Sequence, residues 1–333
     1  MTARAIVLVE EGGPGEAVLA ALARVPVAGL ATGSSGEALA LLDGAPAGWL
    51  LLVEGTAPLD APACRSLVRA ARSRHPDLAA LALANRTSAS ALTTLIADAG
   101  VQHVLGVGEP FDSGRLTAAM ARLVDGPGRD VSHWVSSGAH ERTLPIKGTV
   151  GKAAILDAVA AEAAGAGLPS RVIEGARGVA DELVTNAVHH APRRDDGSRP
   201  YRALDRREVV QLVPREHALL RCLADDEWFA ISVTDPFGSL DTAEMIRGLA
   251  RCAAGGRAQM ARAGGGAGMG LFYALEFCTR FIVNLVPGRR TEVIACFALE
   301  GSYRAFAQRP KSLHVLVAQN DETCAGERPS GDG

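Results

Sequence analysis

The stretch ADELVTNAVHHAP, residues 180–192, decides how the second half of this chain is read. Glu182 and Asn186 lie four residues apart and on a helix share one face. A carboxylate and an amide can then meet the same ligand. Asn supplies an oxygen to a hard cation such as Mg²⁺, and Glu can orient a nucleophilic water or hydroxyl beside a terminal phosphate. Two further stretches complete a constellation. ISVTDPFGSLD, residues 231–241, sets Asp235 at a strand end with Gly238 three residues later. The carboxylate can accept from a purine amino group, and the glycine lets backbone approach a base. GGGAGMGL, residues 264–271, places Gly264, Gly266, Gly268 and Gly270 before a helix, with backbone N–H groups free to face phosphate oxygens.

Outward from these motifs, the periodicity predicts helices at Lys152–Ala164 and Arg171–His190, then a polar loop, RRDDGSRPYRALDRR, at 193–207. Strands follow at Val209–Val213, Ala218–Leu223 and Trp228–Thr234. A helix at Thr242–Cys252, a helix at Met269–Thr279 and strands at Phe281–Leu285 and Glu292–Leu299 complete residues 147–307. Clustered strands with segregated helices predict an α+β two-layer sandwich. Residues 308–333 read as a partly disordered tail, with SLHVLVA as a short-strand option.

Toward the N-terminus the pattern changes. The apolar runs AIVLV, Val25–Leu30, WLLLV, LAALAL and HVLGV alternate with helical stretches over residues 1–125. Continuous apolar strands separated by helices predict a doubly wound α/β domain with five parallel strands. The stretch DGPGRDVSHWVSSG begins a Gly- and Ser-rich linker, assigned to 126–146.

Composition narrows the function. A chain of 333 residues suits two domains. No apolar stretch of about 18 residues lacks charge or glycine, so a soluble, cytoplasmic protein is expected. The formal charge of −3 is mixed along the chain, with no basic stripe to neutralise nucleic-acid phosphates. The six cysteines are scattered without CxxC pairs, which predicts a reducing compartment and no structural zinc.

The three motifs of the second half resemble the N, G1 and G2 boxes of the Bergerat-fold ATPases, the gyrase, heat-shock-90, histidine-kinase and MutL group. The resemblance implies Glu182 as general base and Asn186 as Mg²⁺ ligand. It implies Asp235 as the adenine-binding residue, Gly266, Gly268 and Gly270 as the phosphate-side glycines, and Thr291 in RTEV as the closing threonine. ELVTNAVHHA looks most like the anti-sigma-factor serine kinase branch. At G1 the chain departs from the family, with Phe237 where a glycine is common and Gly238 one place late. HERTLP at His140 is similar to a phosphoacceptor box, but about 45 residues separate it from Asn186 and the intervening LPIKGTV reads as extended. The two long helices of a dimerising hairpin do not fit. KGTVGKAA lacks the earlier glycine and the hydroxyl residue of a Walker loop.

The first half resembles the receiver domains of response regulators. Glu10 and Glu11 end the first strand where that family holds Mg²⁺, and Glu54 stands in place of the phosphoacceptor aspartate, four before Pro58. Glu109 before Pro110 replaces the usual lysine, removing the cation that steadies a phosphoryl group. The resemblance implies a receiver that is not phosphorylated, with a phosphomimetic Glu54 as one option. Together the readings imply a bacterial signalling protein that binds Mg-ATP and acts as a serine/threonine kinase or anti-sigma-type switch. Its partner would be a sigma factor, an antagonist, another signalling protein or a second copy of the chain. A non-enzymatic adaptor is the alternative, and an atypical histidine kinase stands third. Arg257 and Arg262 are the candidate lid residues for a terminal phosphate.

Overall fold

The computed structural model describes residues 3–44, 48–85, 88–136, 138–260 and 269–318. Its first half alternates strand and helix: β1 (Ala3–Val9), α1 (Gly15–Leu22), β2 (Val27–Thr32), α2 (Ser35–Gly44), β3 (Trp49–Val53), α3 (Ala61–Arg74), β4 (Ala79–Ala84), α4 (Ala89–Ala99), β5 (His103–Gly106) and α5 (Ser113–Leu123). All five strands are parallel in the order β2-β1-β3-β4-β5. That is the doubly wound order shared by flavodoxin and CheY. Every residue of WLLLV in β3 is buried, as a strand covered on both faces requires. Local chemistry sets the helix starts, with Asp60, Ser88 and Asp112 accepting from backbone N–H groups in the first turns of α3, α4 and α5.

The second half contains β6 (His140–Ile146), α6 (Lys152–Gly165), α7 (Ser170–Thr185), β7 (Ala218–Ala224), β8 (Trp228–Asp235), α8 (Thr242–Met260), α9 (Met269–Phe277), β9 (Arg280–Val286), β10 (Arg290–Ala298), α10 (Tyr303–Gln308) and β11 (Ser312–Val317). Strands β9-β10-β8-β7-β6 pair antiparallel. Helices α6 to α9 share a core with one face of these strands through residues such as Val179, Leu249, Phe272, Phe229 and Phe281.

The two halves form one sheet. β11 pairs antiparallel with β5 and parallel with β9, giving eleven strands in continuous order. The presumed tail therefore contributes a central strand from Ser312 to Val317. Leu313 and His314 are wholly buried, because the stretch fills a gap that both halves leave at a sheet edge. The core also crosses the boundary, since α4 packs on α8.

The segment 126–146 is likewise more than a connection. Val131 and Trp134, in a 3₁₀ turn capped by Asp130, and Val135 just after it cover the sheet face opposite α6 to α9. Its last seven residues form β6. Polar composition misleads here because a few apolar side chains, Val131, Trp134, Val135 and Ile146, reach the core. The expected strand Val209–Val213 is absent. Val210 and Leu212 are buried while Val209 is 77% exposed, yet the pairing is a single bridge between Gly148 and Gln211. Alternation without a neighbouring strand leaves a loop. Among the described residues, no helix is long and apolar enough to cross a membrane.

Candidate functional site

Helix α7 carries Glu182 on its last turns and passes directly into a π turn at Asn186–His190, where the Ala191 N–H donates to the Asn186 carbonyl at 3.0 Å. Such one-turn widenings are frequent at functional sites. Behind it, Lys152 bonds the Thr185 hydroxyl at 2.6 Å and Asp181 at 2.5 Å, fixing α6 to α7. Lys152 is committed to that anchor.

Asn186 opens into a cavity also lined by Asp235 at the end of β8, Thr291 on β10 and Gly270 at the start of α9. Asp235 and Thr291 are cross-strand partners. Its walls are apolar, from Leu183, Val233, Met245 and Val293. Asp235 is only 8% exposed. Burial pushes its carboxyl up to about 6, while the N–H groups of Phe237 and Gly238 and the Thr291 side chain pull the other way. The Phe237 N–H donates to Oδ1 at 2.9 Å. Thr291 Oγ1 is buried without a well-formed hydrogen bond. An acid and a buried hydroxyl at the base of an apolar slot suit a flat ring bearing a polar edge group.

Glu182 stands at the rim. A Cβ at Gly270 would lie 2.0 Å from Glu182 Oε2, so glycine there lets α9 begin against the carboxylate. Gly238 does not line the cavity. Its φ is +55°, and a Cβ would meet the Val286 carbonyl oxygen at 2.2 Å, so its glycine is required by the β9–β10 turn. Gly264, Gly266, Gly268 and Arg262 lie outside the described residues, as does the side chain of Arg257.

The sequence reading missed the cations at the mouth. Arg199, Arg202 and Arg206, from the polar loop after the π turn, line the cavity. Arg206 pairs with Glu182 at 3.3 Å, Arg202 with Glu244 at 3.2 Å, and Arg199 donates to the Ser239 carbonyl at 3.3 Å. Their three- and four-residue spacing was the available signal. His190 lines the cavity beside them. Burial first, then the positive charges of Arg206, Arg202 and Arg199, push its pKa down to about 4, so the imidazole is neutral at pH 7. His189 is buried, whereas His190 is half-buried at the cavity.

In the first half, the Glu54 carboxylate accepts from the Asn85 N–H at 2.9 Å. Glu10, Glu11 and Glu109 are exposed. Backbone bonds from Glu10 to Val53 and from Thr56 to Glu11 draw the β1 and β3 loops together. Among the described residues, no group of three or more His, Cys, Asp or Glu side chains is placed to hold a metal ion. His140 sits on the exposed edge strand β6 and pairs with Glu162 at 3.1 Å.

No protein-family model matches the chain, and no curated protein matches it. Among solved structures, it is similar to a CheY-like protein, TadZ, from Pseudomonas aeruginosa PAO1. That match has 23% identity and a TM-score of 0.30 and covers 39% of this chain and 99% of that one. It is also similar to the RcsB response regulator of Salmonella typhimurium, at 14% identity and a TM-score of 0.29, over 59% of this chain and 96% of that one. The strand order of the first half shows a doubly wound parallel domain.

Proposed function

We propose that residues 147–307 form a Bergerat-type nucleotide domain that binds Mg-ATP, and that the chain is a signalling kinase or anti-sigma-type switch governed by its receiver-like half. The carrying observation is convergence. Asn186, Asp235, Gly270 and Thr291 come from four separate segments and meet around one apolar cavity, with Glu182 at its rim. In this reading Asp235 and Thr291 receive the amino edge of adenine, and the apolar walls hold the ring. The arginines at the mouth attract the phosphates. Mg²⁺ would neutralise phosphate oxygens, with Asn186 as one oxygen ligand and the phosphates supplying others. Glu182 would accept the proton of an acceptor hydroxyl held at the rim.

Titration calorimetry of MgATP against the purified protein, Asn186→Ala and Asp235→Asn tests the reading. Saturable binding weakened at least tenfold by each substitution is the expected result. Absence of binding by folded wild-type protein overturns it.

A second reading, a non-enzymatic adaptor, is favoured by the Arg206–Glu182 pair, which occupies the carboxylate, and by an all-acidic set at the receiver positions, Glu10, Glu11, Glu54 and Glu109. Transfer of a labelled γ-phosphate to any protein partner would exclude it. The histidine-kinase option would require acid-labile label on His140, a strand residue tied to Glu162.

A further inference from the structure

We infer that Arg206 is a two-position latch: it pairs with Glu182 in one position and with the terminal phosphate of a nucleoside triphosphate in the other, where it releases the carboxylate. This deepens the nucleotide reading and rests on it.

Three observations carry the inference. First, the Arg206 guanidinium reaches both Glu182 oxygens through one nitrogen, at 3.3 and 3.4 Å. Parallel bidentate pairing, the strong form, is not made. The two side chains are 44% and 22% exposed, so solvent screens the pair and its partner is readily exchanged. Second, Arg206 differs from its neighbours in where it is tied. Arg199 and Arg202 are held by Ser239 and Glu244, at the entrance to α8, whereas Arg206 alone of the three is held at the rim formed by Glu182 and Gly270. A ligand whose ring lies on Asp235 extends its phosphates toward that rim, so Arg206 meets the last phosphate. Third, Arg206 belongs to a loop of turns between α7 and β7, a position from which a side chain can swing without disturbing either element.

The direction of exchange follows from charge. A terminal phosphate presents three acceptor oxygens and more negative charge than a carboxylate, and the planar guanidinium matches it in bidentate fashion. Once Arg206 leaves, the Glu182 oxygens are free to accept the proton of a hydroxyl held at the rim.

A double-substitution cycle tests this. MgATP and AMP are titrated against wild type, Arg206→Ala, Glu182→Gln and the double variant at one ionic strength. Arg206→Ala is expected to weaken MgATP binding at least tenfold and AMP binding less than twofold. Glu182→Gln is expected to tighten MgATP binding at least threefold when Arg206 is present, because the arginine is already released, and to lose that gain in the Arg206→Ala background. Simple removal of a negative charge near the phosphates would tighten binding equally in both backgrounds, which would overturn the latch. An unchanged ratio of MgATP to AMP affinity in Arg206→Ala would overturn it too. In either case wild-type MgATP binding leaves the nucleotide reading standing, whereas a wild type that binds no MgATP overturns both.

Discussion

Asp235 shows how one residue can cost stability in order to present chemistry. Its burial raises the folded-state carboxyl from 3.8 to about 6. A raised folded pKa contributes stability that is complete below the unfolded value and is lost as pH rises through the folded value. At pH 7 the ionised carboxylate therefore sits in the cavity at a cost on the order of 3 kcal/mol, from roughly two pKa units at about 1.4 kcal/mol each. Asp235→Asn keeps the shape and an acceptor for the Phe237 N–H. It is expected to be more stable than wild type at pH 7 by up to about 3 kcal/mol, with the gain vanishing below pH 4. Denaturant unfolding at the two pH values measures this, and equal stability differences at both would contradict it. Asp235, Asn186 and Thr291 could be picked out in the sequence because their motifs are local. The arginines were passed over because a polar loop rich in Arg and Asp reads as solvated, and only its folded path brings Arg199, Arg202 and Arg206 to the cavity mouth.

Elements add a second layer. Helix α9 approaches α7 closely because Gly175 and Gly178 give room to Phe277 and Tyr273, whose atoms lie within 2.7 Å of where a Cβ would stand. This seating sets Gly270 against Glu182. The turn at Val131–Trp134 does comparable work on the opposite face. Trp134 is fully buried, stacks on His314 at 5.6 Å between ring centroids, and lies beneath the Arg280 guanidinium at 5.5 Å. Glu292 accepts from the Val131 N–H, and Asn284 from the Gly128 N–H, so the turn is also hydrogen-bonded to β10 and β9. Trp134→Ala is expected to destabilise by about 3–5 kcal/mol, the usual range for deleting a large buried aromatic. A loss under about 1 kcal/mol in chemical denaturation would show that the segment is the passive linker its composition suggested.

At the scale of the molecule, β11 decides the architecture. It supplies the strand between β5 and β9, and the seam is reinforced by Arg115, which donates to the Gly106 and Pro310 carbonyls, and by Lys311, which donates to the Glu276 and Cys278 carbonyls. His103 and His314 lie in that seam with ring nitrogens that lack partners, and burial drives both toward the neutral form. Ending the chain after Arg309 would expose the edges of β5 and β9 together. The truncated protein is expected to lose its single cooperative transition in calorimetry, either aggregating or melting in two steps. One unchanged transition would mean that the halves hold together without β11.

Most helices and strands, and the motif residues Glu182, Asn186 and Asp235, were legible in the sequence. Five apolar strands alternating with helices specify a parallel sheet, and the four-residue spacing of Glu182 and Asn186 places them on one helix face wherever that helix goes. Tertiary structure alone decided that Trp134 and Leu313 are core, that two expected domains share one sheet, and that Arg206 meets Glu182. The reason is physical. Periodicity reports which side of an element is apolar, but the identity of the surface or charge that comes to face it depends on pairings between residues far apart in the chain.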